Sequence, residues 1–316
     1  MEKKKKISIC SSTYNEEANI RDLYQRVLAQ LQRFPQYDYE FIIADNCSTD
    51  RTREIMKEIA AEDRHFKCIF NANNFGAGRS SYNACMQCSG DAMISLCTDL
   101  QDPPELIEEF IRKWEEGYNL VCGIKKNYSG SLVMTLVRKS YYRLLRKVSD
   151  VDLIQDFHGF ALYDRKMLDA MKLYHDAEPY ARGIVSEIGL KRCEVPYTQA
   201  ERKGGKSSYN FFRYYDFAMV GLVNYSKLPL RLAIFSGFFI ALLSLLVALG
   251  YFVYKLLNWN NFQLGLAPLV IGLFFFSAVQ LIFIGILGEY IGAIWTQVKN
   301  KPLVIEEERI NFDNDK

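Results

Sequence analysis

Three polar stretches in the first third of the chain carry the side chains best suited to chemistry. They are Tyr14-Asn15-Glu16-Glu17, Asp45-Asn46 and Asp99-Leu100-Gln101-Asp102, and each follows an apolar run. Carboxylate and amide groups bind hydroxyl groups through hydrogen bonds. Oxygen atoms are also the ligands that Mg²⁺ and Mn²⁺ prefer. The three stretches are therefore candidates for a ligand site, and Asp99 is the candidate ligand of a hard divalent cation.

Short apolar runs alternate with amphipathic stretches between residues 6 and 123. This alternation is typical of a parallel sheet covered by helices. In open α/β sheets ligands bind at the carboxyl ends of the strands, which is where the three polar stretches are expected. The predicted strands are Ile7–Ser12, Glu40–Asp45, Phe66–Phe70, Ala92–Cys97 and Leu120–Gly123, and the predicted helices are Ala18–Leu31, Thr49–Ala61, Gly78–Cys88 and Pro104–Glu116.

Two basic segments follow the predicted sheet. Residues 132–152 have the pattern of a basic helix that carries Arg138 and Arg143. A solvated helix face and a surface that faces a membrane both explain this pattern. The second segment, residues 202–209, has the sequence RKGGKSSY. Its glycines let backbone N–H groups approach a phosphate, and Arg202 can donate two parallel hydrogen bonds to phosphate oxygens.

Two apolar stretches, Leu232–Leu257 and Leu264–Trp295, reach the ~20 residues that a helix needs to cross a bilayer. Basic residues lie at the outer ends of this pair, so the positive-inside rule predicts that both ends are cytosolic. The preceding segment is rich in aromatic and basic residues, which suits the headgroup layer. The predicted organisation is a cytosolic catalytic domain over 1–208, amphipathic membrane-surface helices over 209–230, a two-helix transmembrane hairpin over 231–298 and a cytosolic tail over 299–316.

Charge and cysteine content limit the classes of function. The chain has 39 basic and 37 acidic side chains, and its net charge of +2 gives no argument for a nucleic-acid partner. Eight cysteines occur without the paired spacing of a structural zinc site. We predict that they are reduced, buried thiols in a cytosolic domain.

The motifs in this order resemble those of the family 2 glycosyltransferases, in particular the branch that transfers sugars to polyprenyl phosphates. The resemblance rests on the three polar stretches, on Asp-Pro-Pro-Glu after Gln101, and on the segment 202–209. It covers nearly the whole chain, because the two C-terminal apolar stretches also belong to that branch. It implies an α/β fold in which a GT-A type, Rossmann-like nucleotide-sugar-binding domain is followed by two C-terminal transmembrane helices.

The resemblance also implies roles for individual residues. The first two polar stretches hold the nucleotide, Asp99 and Gln101 hold Mg²⁺ or Mn²⁺, and the segment 202–209 closes over the donor phosphates. Arg138 and Arg143 are the candidates for the acceptor phosphate. The donor-binding residues predicted in this way are Thr13, Tyr14, Asn15, Glu16, Asp45, Asn46, Asp99, Gln101, Arg202, Lys206 and Ser207.

Two positions depart from the family pattern. Cys97 stands where the family has the first aspartate of its Asp-x-Asp motif, and a thiol is a poor ligand for hard cations. Gly159 stands where the family has an aspartate proposed as the catalytic base, with Asp156 and His158 nearby as substitutes. The predicted catalytic residues are therefore Asp99, Asp156 and Arg202. A phosphate monoester has a second pKa near ~6, so such an acceptor is largely dianionic at pH 7 and needs no base.

The resulting hypothesis is an inverting transfer of a sugar from a UDP-sugar, or else a GDP-sugar, to polyprenyl (undecaprenyl) phosphate. The protein is expected in the bacterial inner membrane as a multi-pass protein with a cytosolic catalytic domain, and the resemblance suggests a homotetramer. Two alternatives are open at this point. One is a transferase that acts directly on a glycan or another lipid, and the other is a catalytically silent membrane scaffold.

Overall fold

A mixed sheet forms the centre of the computed structural model, which describes residues 4–126, 151–199, 219, 223, 225–257 and 266–312. Within these residues the sheet has eight strands. The strands are β1 (Lys6–Thr13), β2 (Asp38–Asp45), β3 (Phe66–Asn71), β4 (Ala92–Ser95), β5 (Leu120–Lys125), β6 (Phe157–Asp164), β7 (Arg192–Tyr197) and β8 (Glu306–Ile310).

The strand order is β7-β5-β6-β4-β1-β2-β3-β8. Strand β1 pairs in parallel with both β2 and β4, while β6 and β8 are antiparallel to their neighbours. Thr13 at the end of β1 is in register with Asp45 at the end of β2. The carboxyl ends of β1, β2 and β4 therefore lie side by side, and the three polar stretches leave the sheet at one edge.

Helices cover both faces of the sheet, because its central strands place apolar side chains alternately on either face. Ile7 and Ile9 of β1 pack with one cluster of core residues, and Cys10 packs with the other. The helices of this domain are α1 (Ile20–Leu31), α2 (Thr52–Glu62), α3 (Ala77–Met86), α4 (Ile107–Glu115, after a 3₁₀ turn at Pro104–Leu106), α5 (Arg165–Met171) and α6 (Ala181–Ile188). They give the doubly covered α/β architecture that the sequence predicts.

The elements predicted before residue 125 are all present, with ends that differ by a few residues. Strand β4 stops at Ser95 and not at Cys97, so Cys97 belongs to the turn that follows it. Gly159, which stands where the family has an aspartate, lies within β6 together with His158.

The C-terminal segment corrects the predicted organisation. Residues 299–316 are predicted as a tail, but Glu306–Ile310 forms β8, which pairs antiparallel with β3. A domain boundary at residue 208 therefore leaves out one strand of the sheet.

Two long apolar helices, α7 (Leu228–Leu257) and α8 (Leu266–Val298), follow the α/β domain. Both are long and apolar enough to cross a membrane, and the most apolar stretch of each buries none of its residues within the protein. Exposed apolar surface of this extent suits lipid and is unfavourable in water. Because β7 before the pair and β8 after it belong to one sheet, both ends of the pair lie on the side of the α/β domain.

The cysteines only partly match the prediction of buried thiols. Cys97 is exposed, and Cys47 and Cys193 are half-buried. The other five are buried, so most of the thiols do serve as small core residues. The exception at Cys97 follows from its place in the turn beyond β4.

Candidate active site

The turns after β1 and β2 are joined by hydrogen bonds. The backbone N–H of Asn15 donates to Ser48 Oγ at 2.9 Å, and the N–H of Thr49 donates to Asn15 Oδ1 at 2.8 Å. Asn15 has φ +55°, a left-handed conformation in which asparagine is among the more tolerated residues. Two of the predicted donor-binding stretches thus form one structural unit at the carboxyl edge of the sheet.

Asp45 organises this unit from inside the protein. Its carboxylate is fully buried and accepts hydrogen bonds from the backbone N–H groups of Cys47 and Ser48 at 3.1–3.2 Å. Arg53 Nε donates to the same carboxylate at 2.6 Å. Direct hydrogen bonding of Asp45 to the donor remains a prediction. In the structure, its oxygens already shape the turn.

Asn46 is held in a cluster of amides next to this turn. Its Nδ2 donates to Asn74 Oδ1 at 2.8 Å, and its Oδ1 accepts from the N–H of Phe75 at 3.0 Å. The Asn46 N–H donates to the carbonyl of Thr13 at 2.9 Å. Asn46 therefore connects the end of β1 to the loop after β3.

Three further donor-binding candidates, Thr13, Tyr14 and Glu16, lie at the end of β1 and in the turn that follows it. Thr13 is buried, and within the described part of the chain its Oγ1 has no hydrogen-bond partner. Tyr14 is 44% exposed, which leaves its ring accessible to a ligand. Glu16 Oε2 accepts a hydrogen bond from Asn19 Nδ2 at 2.6 Å. A buried hydroxyl beside an exposed ring suits a ligand with both polar and aromatic parts.

The turn after β4 carries the metal candidates. Asp99 Oδ1 accepts from the N–H of Gln101 at 3.2 Å, and the intervening Leu100 has φ +58°. Gln101 Oε1 accepts from Gln199 Nε2 at 2.9 Å, which leaves one of its two lone pairs for a further partner. Asp102 is buried and accepts a 2.6 Å hydrogen bond from the phenol of Tyr197.

These residues fit a hard cation that is shared with a substrate. Among the residues the structure describes, no group of three or more His, Cys, Asp or Glu side chains is arranged to hold a metal. Mg²⁺ commonly binds through one or two carboxylates together with substrate phosphates, so Asp99 with the Gln101 carbonyl oxygen suits that type of site. Cys97 lies exposed at the start of the turn, and its thiol adds little affinity for such an ion.

Sequence reasoning missed a group of basic residues that faces the acidic turn. Lys125, at the end of β5, is within electrostatic reach of Asp102, Asp99 and Arg182. Burial lowers the pKa of Lys125, and the attraction of Asp102 opposes this effect. Nη2 of Arg182, which belongs to α6, lies 2.9 Å from Nδ1 of His158. The arrangement provides cationic groups next to the acidic turn, as an anionic substrate requires.

Asp156 and Gly159 lie at the start of β6, beside this basic group. Burial raises the pKa of Asp156, and its φ of +54° places it in a turn. Its carbonyl accepts from the N–H of Lys125 at 3.4 Å, so the two residues are adjacent. Gly159 has φ +97°, a conformation that suits glycine and is strained for an aspartate. The assignment of Asp156 as a catalytic residue remains a prediction.

Five of the predicted site residues lie outside the described residues. They are Arg138, Arg143, Arg202, Lys206 and Ser207. Most of the predicted membrane-surface segment 209–230 lies outside them as well.

The site therefore combines three parts at one edge of the sheet. The linked turns after β1 and β2 offer hydrogen-bonding groups and an exposed aromatic ring. The turn after β4 offers oxygen ligands, and the group around Lys125 offers positive charge. An arrangement of this kind suits a ligand that carries hydroxyl groups together with phosphates.

Known proteins resemble this chain over nearly its full length. The uncharacterized glycosyltransferase YkcC of Bacillus subtilis is 33% identical, and the match covers 97% of this chain and 95% of that protein. The SfII prophage-derived bactoprenol glucosyl transferase of Shigella flexneri is 32% identical, and the match covers 95% of this chain and 97% of that protein. A solved structure, the mannosyltransferase PcManGT from Pyrobaculum calidifontis in complex with GDP-Man and Mn²⁺, is 15% identical with a TM-score of 0.49. The match covers 95% of this chain and 89% of that one.

A family comparison agrees with the two sequence relatives. Residues 8–171 match glycosyl transferase family 2, and this segment runs from within β1 to the end of α5 and includes the turns after β1, β2 and β4. It exceeds half of the 316 residues. The chain belongs to glycosyl transferase family 2 and is a glycosyltransferase.

Proposed function

We propose that this glycosyltransferase moves a sugar from a nucleotide sugar, preferentially a UDP-sugar, to a polyprenyl phosphate with inversion at the anomeric carbon. The observation that carries the proposal is the position of Lys125 beside the turn of Asp99 and Asp102. Lys125 is in register with Tyr197, whose phenol donates to Asp102, and Arg182 lies close to Lys125. It places positive charge for an acceptor phosphate next to the residues proposed to hold the donor diphosphate. The relatives named bactoprenol glucosyl transferases support a polyprenyl acceptor.

The donor is proposed to lie across the carboxyl ends of β1, β2 and β4. The linked turns around Asn15 and Asn46 bind its nucleoside, and the exposed ring of Tyr14 contacts the base. Asp99 and Gln101 would hold Mg²⁺ or Mn²⁺, which supplies neutralising charge for a departing nucleoside diphosphate. Arg202, Lys206 and Ser207 belong to the proposal as the segment that closes over the donor phosphates.

The acceptor phosphate is proposed to be held by Lys125 and Arg182, together with Arg138 and Arg143. A phosphate oxygen forms a new bond to the anomeric carbon while the bond from that carbon to the diphosphate oxygen breaks. The electron pair of the broken bond leaves with the nucleoside diphosphate. Because the phosphate monoester is largely dianionic at pH 7, this step removes no proton from the acceptor. The glycine at position 159 is compatible with such a reaction, and Asp156 then contributes local charge.

The two apolar helices explain how a lipid acceptor reaches the site. We infer that α7 and α8 cross the membrane as a hairpin, with both ends on the cytosolic side of a bacterial inner membrane. The attachment of both ends to one sheet and the basic residues at those ends support this orientation. The proposed homotetramer is a separate hypothesis, which rests on the family resemblance.

A transfer assay with the purified full chain tests the proposed function. The protein is incubated with labelled UDP-sugars or GDP-sugars, Mg²⁺ or Mn²⁺, and undecaprenyl phosphate, and the labelled lipid is extracted and its anomeric configuration determined. We expect a labelled lipid of inverted configuration. We also expect Asp99→Asn to slow its formation about 100-fold or more. Asp169→Asn on α5, whose carboxylate pairs with Arg165 at the surface, serves as the matched control.

The assay also separates the alternatives. Failure to label the lipid with any of these donors contradicts the proposal. Transfer to a soluble glycan without polyprenyl phosphate favours a direct glycan transferase. Retention of full activity by Asp99→Asn contradicts the metal assignment.

A further inference from the structure

The guanidinium of Arg53 joins strand β8 to the turn after β2, which is proposed to bind the nucleotide-sugar donor. Arg53 Nη1 lies 2.9 Å from Glu307 Oε2 of β8, and Arg53 Nε lies 2.6 Å from Asp45 Oδ2 at the end of β2. We propose that Glu307 is a positioning residue for donor binding: it holds Arg53 on Asp45 and thereby fixes the turn over residues 45–49. This inference rests on the proposed function, because it assigns the turn to the nucleotide sugar.

The geometry of Arg53 leaves it little freedom. Its Nη2 also donates to the carbonyl of Asn71 at 2.7 Å, so all three guanidinium nitrogens are engaged in different directions. The guanidinium is planar, and each contact therefore restricts the direction of the other two. The side chain of Arg53 is 27% exposed and that of Asp45 is 0% exposed. A pair buried to this degree is less screened than one between two surface side chains.

Asp45 transmits this constraint to the turn. Its carboxylate accepts hydrogen bonds from the N–H groups of Cys47 and Ser48. Cys47 has φ +66°, a conformation that costs a residue other than glycine about 1 kcal/mol or more and needs support from its surroundings. Ser48 Oγ in turn accepts from the N–H of Asn15. Contacts therefore lead without interruption from β8 to both proposed nucleotide-binding turns.

The neighbouring residue in β8 provides a matched comparison. Glu308 pairs with Lys57 of α2 at 2.6 Å, and its side chain is 44% exposed, compared with 57% for that of Glu307. The Glu308–Lys57 pair, like the Glu307–Arg53 pair, joins β8 to α2. Arg53, not Lys57, donates to Asp45. Glu307 is therefore connected through Arg53 to Asp45 and the turn over residues 45–49, whereas Glu308 contacts Lys57.

Other contacts that do not involve Glu307 also hold β8 and its flanking residues. Asn311 Nδ2 donates to the carbonyls of Ala60 and Phe66 at 2.7 and 2.9 Å. Arg79 Nη2 donates to the carbonyl of Pro302 at 2.6 Å, and the backbone of β8 pairs with β3. The substitution Glu307→Gln is therefore expected to remove one ion pair and leave the strand docked.

The test compares Glu307→Gln with Glu308→Gln in the purified full chain. Amide hydrogen exchange is measured for peptides that cover residues 45–52, and steady-state kinetics are measured with the nucleotide-sugar donor. We expect about 10-fold faster exchange at Cys47 and Ser48 and about a 5- to 10-fold higher donor KM in Glu307→Gln. The kcat and the acceptor KM are expected to stay within about 2-fold, and Glu307→Asp to recover part of the loss. Glu308→Gln is expected to match the unchanged chain.

Equal exchange in the two variants overturns the inference, because Glu307 then has no effect on the turn. A fall in kcat with an unchanged donor KM also overturns it. If the unchanged chain transfers no sugar from any donor, the proposed function fails. The exchange comparison still decides whether Glu307 orders the turn, so the two failures are distinguishable.

Discussion

The phenol oxygen of Tyr197 lies 2.6 Å from Oδ1 of Asp102 and donates a hydrogen bond to it. Both residues are buried, and they join the end of β7 to the turn after β4 across 95 positions of sequence. Burial, together with the Asp102 carboxylate, raises the pKa of Tyr197, so the phenol remains a proton donor at neutral pH. This contact supports the turn in which Asp99 and Gln101 lie.

Removing the hydroxyl group of Tyr197 should therefore weaken both stability and activity. Because Asp102 would lose a buried hydrogen-bond donor, we expect Tyr197→Phe to lower the free energy of unfolding by about 1.5–3 kcal/mol. Tyr37→Phe removes a similar bond to Glu115 at the surface and should cost no more than about 0.5 kcal/mol. Thermal unfolding in detergent and the sugar-transfer rate provide the measurements. Equal effects of the two substitutions would contradict this role of Tyr197.

Lys125 is predicted to act on the acceptor and not on the donor. Lys125→Ala removes a half-buried cation beside the acidic turn, and we expect the acceptor KM to rise about 10- to 100-fold with little change in the donor KM. Lys126→Ala removes the next residue, which is exposed, and should change the acceptor KM by less than about 2-fold. Steady-state kinetics in which the donor and the acceptor concentrations are varied separately distinguish an effect on the acceptor KM from one on the donor KM. A larger effect on the donor KM would assign Lys125 to the diphosphate instead.

Gly183 is predicted to be essential where α6 meets the segment that leads into α7. A Cβ atom at this position would lie 2.1 Å from the ring of Tyr225, which packs directly on the glycine. We expect Gly183→Ala to lower the free energy of unfolding by about 1–3 kcal/mol, because the ring has to move. In a double-mutant cycle, Tyr225→Ala removes the steric conflict, so the double variant should be more stable than the sum of the single effects predicts. Strict additivity would show that the ring is not the source of the cost.

Glu40 should make stability depend on pH in acid. Burial opposes ionisation of this side chain, but hydrogen bonds from Ser8, Lys67 and Ser89 outweigh it and lower the pKa of Glu40 from 4.5 to about 2. Since the pKa is lower in the folded state, the stabilisation is fully present above pH 4.5 and is lost as the pH falls toward 2. The size of the shift corresponds to about 3 kcal/mol.

The matching experiment compares Glu40→Gln with the unchanged chain at two pH values. We expect a clear loss of stability at pH 7 and a much smaller difference near pH 3, measured by thermal unfolding. Glu62→Gln alters an exposed glutamate near the end of α2 and should leave both values unchanged. A difference between Glu40→Gln and the unchanged chain that stays constant across this range would contradict the pKa assignment.

The sequence predicts the central strands well, because β1 to β5 carry apolar runs bounded by polar turns. It does not predict β8, whose sequence Glu-Glu-Glu-Arg-Ile has no apolar alternation. This edge strand is held by backbone pairing with β3 and by ion pairs to α2, so its acidic residues serve a structural purpose. A charged edge strand of this kind carries no hydrophobic signal for a sequence pattern to detect.

In the candidate site, too, the residues predicted from the sequence lie near strand ends, and the residues missed come from distant parts of the chain. Asn15, Asp45 and Asp99 are identified because each lies at or shortly after the end of a recognisable strand. Lys125 and Arg182 are missed, because they come from β5 and α6 and approach each other only in the folded chain. The buried role of Asp45 is also hidden in the sequence, since it depends on Arg53 eight positions later in the chain.

The position of β8 has a practical consequence for preparing the catalytic domain without its apolar helices. A chain that simply ends before α7 lacks β8, and β3 then becomes an uncovered edge with free backbone N–H and C=O groups. Such edges pair with other molecules and promote aggregation. Joining the end of the α/β domain through a flexible linker to residues 302–312 keeps that edge covered, and it retains the carboxylate of Glu307 beside Arg53.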